Sequence, residues 1–95
     1  MVTLLTTFHP KNAKSTDQIS SRLVTLAKQV PLEPGNLDYR AFSVEGEPDL
    51  LYVVERWSSQ IDAQRHVDLV SQSGLVDQVA DLLICPPHTV TLQQL

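Results

Sequence analysis

The stretch "ERWSSQIDAQRH" brings a carboxylate, an indole and an imidazole, Glu55, Trp57 and His66, into one short segment. Each has a chemistry to offer. A carboxylate on an otherwise apolar strand is costly to bury unless it is paired or protonated, and a buried carboxyl with a raised pKa suits a general base. An imidazole titrates near neutrality and can pass a proton on. An indole presents a broad apolar face on which a flat molecule can stack. Structural roles compete with all three. Glu55 can pair with Arg40, Arg56, Arg65 or a backbone amide at a helix start. Trp57 can fill a core beside an interface, and His66 can tie a helix to a sheet edge.

Other chemistries find less support. His9, His66, His88 and Cys85 are dispersed without metal-ligand spacing, so no metal is expected. Cys85 has no basic neighbour in sequence to activate its thiol. Gly35, Gly46 and Gly74 are scattered through turns and build no phosphate loop, and no haem, flavin or other cofactor is expected. The 7 Lys and Arg residues, spread along a chain of formal net charge −4, leave no basic patch for nucleic acid.

The elements that must position these residues follow from pattern. Residues 2–8, "VTLLTTF", read as a strand. Ser15 with Gln18 marks a capping box, and Ile19, Leu23, Leu26, Ala27 and Val30 then recur on one helical face until Pro31 ends the helix. "EPGN" is a turn. Residues 37–44 and 50–57 read as strands of a hairpin joined by "EGEPD". Ser59 with Asp62 opens a second helix that "SQSG" breaks; Leu75, Val76, Val79, Ala80 and Leu83 continue it, "CPP" stops it, and "HTVTLQQL" is a last strand.

The order β-α-β-β-α-β predicts an α+β fold: a ferredoxin-like antiparallel sheet with helices on one face, in one domain spanning residues 1–95. Strand alternation places Glu55 and Trp57 on one face, roughly 6.6 Å apart along the strand, with His66 one or two turns into the following helix. Both faces of the third strand are apolar. Leu50, Tyr52 and Val54 point one way, Leu51, Val53 and Trp57 the other, while helices can cover only one side. The uncovered side predicts a homodimer joined through sheet faces. No 18-residue apolar run and no signal-peptide pattern is present, and the single cysteine fits a reducing compartment, so the expectation is a cytoplasmic protein without a membrane partner.

"EPGNLDYRAF", an acidic turn and "LLYVVERWSSQIDAQRH" together resemble the antibiotic biosynthesis monooxygenase family, whose pattern is a Pro-Gly turn and tyrosine strand, an E-x-W strand, and a helix carrying a histidine. Here these are Pro34, Gly35 and Tyr39, then Glu55 and Trp57, then His66. The resemblance implies a dimeric α+β barrel with a cavity in each subunit. It also implies a cofactor-independent monooxygenase acting on a small phenolic or quinol substrate in a cavity near the dimer interface. The alternative it leaves open is a non-enzymatic dimer that binds a small aromatic or hydrophobic metabolite. The implied site has Glu55 and His66 handling protons, with Trp57, Val53 and Tyr39 against the substrate. In the polyketide-oxygenating branch an asparagine and a tyrosine accompany the tryptophan, and Val53 and Ala63 stand at those positions here. The haem-degrading branch uses an asparagine, a tryptophan and a histidine where this chain has Thr7, His66 and a residue near Val76, which disfavours haem degradation.

Overall fold

The computed structural model describes all residues Met1–Leu95. The elements run β1 (Val2–Phe8), α1 (Ala13–Gln29), a 3-10 turn (Val30–Leu32), β2 (Asn36–Val44), β3 (Glu47–Trp57), α2 (Gln60–Ser73), α3 (Leu75–Ala80) and β4 (His88–Leu92). The strands form one antiparallel sheet in the order β2-β3-β1-β4, with the helices on one face, which is the ferredoxin-like arrangement. No helix is long and apolar enough to cross a membrane.

Local boundaries differ from the sequence reading for physical reasons. Asn12, not Ser15, caps α1: its Oδ1 accepts from the Ser15 backbone N–H at 2.8 Å, and Ser15 is buried in the first turn. The β2–β3 turn is only Glu45–Gly46, with Gly46 at φ +82°, so β3 begins pairing at Glu47 rather than at residue 50. Gly74 at φ +76° separates α2 from α3, and β4 ends at Leu92.

Alternation along β3 divides the molecule. Leu51, Val53, Glu55 and Trp57 face the helices and are buried. They pack with Ile19 and Leu23 of α1, Ala63 of α2, Val79 of α3, and Val30, Tyr39 and Leu83. Burial of each large apolar side chain contributes about 1.5–3 kcal/mol. The opposite face carries Leu5, Val54 and Val90 in one row and Phe42 with Tyr52 beside it. No element of this chain covers it, and Phe42 is 47% exposed.

The turn before β2 is fixed to the start of α2. Ser59 caps α2 by accepting from the Asp62 N–H at 3.2 Å. Asp62 in turn receives the hydroxyls of Ser58 and Ser59, each at 2.8 Å, and the Arg65 guanidinium. Those hydroxyl hydrogen bonds, with Arg65 adding to them, hold its carboxyl below the usual aspartate range. Gly35, at φ +81°, lies so close to Asp62 that a Cβ there would collide with the aspartate side chain, and the Gly35 carbonyl accepts from Ser58 N–H at 2.8 Å. Gly46 has the same backbone sign but open space around it. Gly35→Ala is therefore expected to destabilise the fold by more than Gly46→Ala, whose cost is the backbone term of about 1–2 kcal/mol alone. Chemical denaturation of both variants checks this; equal losses would contradict the contact.

Candidate functional site

The buried face of β3 and the inner face of α2 converge on one polar cluster. Glu55 lies in the middle of the sheet, opposite Leu4 on β1 and Tyr39 on β2. Its Oε1 accepts from the Trp57 indole N–H at 3.0 Å and lies 3.6 Å from His66 Nε2. The other ring nitrogen, Nδ1, lies 2.9 Å from Glu33 Oε1 and 3.2 Å from Oε2. A carboxylate can only accept, so Nδ1 carries hydrogen and Nε2 is the nitrogen turned towards Glu55. The imidazole stacks on the indole with ring centroids 4.9 Å apart and an interplanar angle of 30°, and meets Tyr39 edge-on at 6.1 Å.

Burial grades the cluster from inside to outside. Trp57 is 0% exposed. The side chains of His66 and Glu55 are 8% and 9% exposed, whereas that of Glu33 is 25% exposed. Burial pushes the Glu55 carboxyl above its ordinary value of 4.5; the Trp57 hydrogen bond and the His66 charge oppose the shift, and Glu33 adds to it. Burial, then the charges of Glu55 and Glu33, raise Tyr39, so its phenol keeps its proton. Tyr39 makes no side-chain hydrogen bond within the protein.

A cavity of about 220 Å³ opens between the sheet and the helices. Its floor is Leu4, Thr6, Phe8, Tyr39, Glu55 and Thr89, and its sides come from α1, α2 and α3, including His66, Val67, Val70 and Val76. Apolar residues dominate, and Glu55, His66 and Tyr39 supply polar groups among them. Trp57 and Val53, expected against the substrate, do not line the space. Trp57 lies beneath His66 with its N–H committed to Glu55, and Val53 is 1% exposed in the core. No group of His, Cys, Asp and Glu side chains converges in a way that could hold a metal ion.

Glu33 has no counterpart in the sequence reading. One signal was available: antiparallel pairing of 36 with 57 brings the Pro-Gly turn to the tryptophan end of β3. The arginines considered as partners of Glu55 are engaged elsewhere: Arg40 pairs with Asp38, Arg65 with Asp62, and Arg56 reaches the Met1 sulfur.

The raised Glu55 pKa has a stability consequence. The folded state holds this proton to higher pH than the unfolded chain, so it binds more protons, and unfolding free energy falls as pH rises from about 4.5 through the folded value. Glu55→Gln removes that dependence. The stability of Glu55→Gln relative to the unsubstituted protein is expected to increase with pH across that window, measured by denaturation at a series of pH values. A difference that is flat or falls with pH would contradict the assignment.

A family model described as antibiotic biosynthesis monooxygenase matches residues 1–73. No curated protein sequence matches the chain. Among solved structures, a candidate antibiotic biosynthesis monooxygenase from Nitrosomonas europaea is 21% identical, with a TM-score of 0.88 over 100% of this chain and 99% of that one. Rv0793 from Mycobacterium tuberculosis is 21% identical, with a TM-score of 0.85 over 99% of this chain and 94% of that one. A monooxygenase from ActVA-Orf6 of Streptomyces coelicolor, in complex with nanaomycin D, is 14% identical, with a TM-score of 0.78 over 98% and 86%. At these identities the structures agree in fold. Together with the family model, which spans most of the sequence, they lead to one conclusion: the chain belongs to the antibiotic biosynthesis monooxygenase family.

Proposed function

We propose that the protein is a cofactor-independent monooxygenase that oxidises a small phenol or quinol in the cavity between sheet and helices. The observation that carries this reading is the Glu55 carboxyl on the floor of an apolar cavity, backed by His66 and Glu33 in a line towards solvent. A site of about 150 Å³ accommodates benzene, so about 220 Å³ fits a molecule of one or two rings.

The chemistry follows from spin and protonation. Ground-state dioxygen is a triplet and does not combine directly with a closed-shell molecule. A phenolate can first give it one electron. Glu55, in its ionised form, takes the phenol proton, and His66 Nε2 can receive it in turn. Glu33 holds the opposite nitrogen and keeps that tautomer in place, as the carboxylate of a catalytic triad does. The phenoxyl radical and superoxide combine at a ring carbon bearing hydrogen. The resulting peroxide loses that hydrogen as a proton and its outer oxygen as water, leaving a quinone. One phenol and one dioxygen thus give one quinone and one water. Tyr39, held as the neutral phenol, is available to donate a hydrogen bond to the substrate oxygen, and the apolar walls keep bulk water from the radicals.

The reading includes a homodimer through the open sheet face, supported by the uncovered row of Leu5, Val54 and Val90 beside Phe42 and Tyr52. It also includes a cytoplasmic location, in keeping with the single cysteine, Cys85, which is free and exposed. One observation favours a second reading, in which the same cavity binds a hydrophobic metabolite without turnover. Val53 and Ala63, at the positions of the polyketide branch's asparagine and tyrosine, are packed into the core and offer no polar group.

Oxygen uptake with a panel of one- and two-ring phenols and quinols separates the readings. Glu55→Gln and His66→Ala are expected to slow turnover by about 10²–10⁴-fold. Binding with no oxygen uptake from any member of the panel would favour the second reading. Phe42→Glu on the open face is expected to convert a dimer into a species near the 10.6 kDa chain mass in light scattering. An unsubstituted protein that is already monomeric at micromolar concentration would remove the dimer.

A further inference from the structure

The cavity carries one permanent cation, Arg22 of α1, and it serves no ion pair. Its Nη1 donates to Gln78 Oε1 on α3 at 3.0 Å, so the side chain bridges two of the helices that wall the cavity. Arg40 and Arg65 pair with aspartates, whereas Arg22 has no carboxylate within ion-pair distance. The polar groups of the cavity are therefore separated by depth. Glu55 on the sheet and His66 facing it from α2 are buried, and Arg22 on α1 is exposed, where the cavity meets solvent. Half-exposed Val67 and Val76 sit with it in the lining.

A guanidinium offers donors in a planar fork that matches a carboxylate, and the hydrogen bond to Gln78 leaves most of them free. The overall charge of −4 repels anions at long range, so an anionic ligand would gain its discrimination from this local contact. Resting on the oxidation site proposed above, we infer that the substrate class is an acidic one- or two-ring phenol: its hydroxyl meets Glu55 at the floor, its apolar rings fill the cavity, and its carboxylate is held by Arg22 at the lip.

The test uses 6-hydroxy-2-naphthoate and its neutral carboxamide, which share rings and hydroxyl and differ in charge. Titration calorimetry on the unsubstituted protein is expected to give the acid about 10-fold tighter binding than the amide, the scale of one charge-assisted contact. In Arg22→Gln that preference should fall to about 1-fold, and Arg22→Lys should restore part of it. Equal binding of acid and amide to the unsubstituted protein, or an acid preference that survives Arg22→Gln, overturns the inference while leaving the cavity in place. Failure of both compounds to bind overturns it together with the cavity reading. Oxygen uptake in the same samples is a separate readout. Acid preference lost with Arg22 but without oxygen uptake supports the anion contact and removes the oxygenase.

Discussion

A carboxyl group placed in the middle of a sheet and covered by a helix has to be answered by donors, and the organisation of this molecule follows from how Glu55 is answered. The nearest donor is the indole N–H of Trp57, two residues along the same strand face. Beside the carboxyl, with Nε2 3.6 Å away, lies His66, held across the helix–sheet gap by stacking on that indole. Neither is a permanent cation, so the carboxyl is stabilised without being neutralised outright, and burial prevails in setting its proton affinity. An arginine partner would have had the opposite effect, holding Glu55 as an inert ion pair. Because Glu55 also forms part of the cavity floor, the same compromise leaves an ionisable group facing a small apolar space.

The cluster depends on a remote piece of backbone. Glu33 reaches His66 because the Pro34–Gly35 turn is pressed against the beginning of α2, where Asp62 binds the hydroxyls of Ser58 and Ser59 and the guanidinium of Arg65. The Gly35 close approach, the Ser58 N–H bond to its carbonyl and the Ser59 cap act in one place. They set both the start of the helix that carries His66 and the position of the carboxylate that orients its ring. A change at the turn should therefore be felt in the ring tautomer as well as in stability, since the two share the same support.

Much of this was legible in residue order. The alternation that puts Leu51, Val53, Glu55 and Trp57 on one face of β3 was legible, but with both faces apolar it did not say which one the helices cover; Ser59 with Asp62 identified the start of α2. The capping box read at Ser15 and Gln18 put the start of α1 too late: the backbone is extended at Asn12, three residues earlier, and that residue is the cap. Two of the three arginines read as possible partners of Glu55 point away from it: Arg56 follows Glu55 directly and Arg40 pairs with Val54, so both lie on the other face of the sheet. The contact between Glu33 and His66 had no local signature, because it joins a turn to a helix through the tertiary fold. The place of Trp57 under the imidazole, rather than in the cavity wall, likewise depends on how far α2 closes over the strand end, which no periodicity encodes.

The central claim is that Glu55 is a buried proton acceptor whose affinity is raised by its surroundings. Carbon-13 NMR titration of the side-chain carboxyls, with the Glu55 resonance assigned by its loss in Glu55→Gln, measures this directly. The account predicts a midpoint for Glu55 above the ordinary 4.5, and a further rise when Trp57→Phe removes the indole donor that opposes the shift. A Glu55 midpoint at or below 4.5, unmoved by Trp57→Phe, would contradict it.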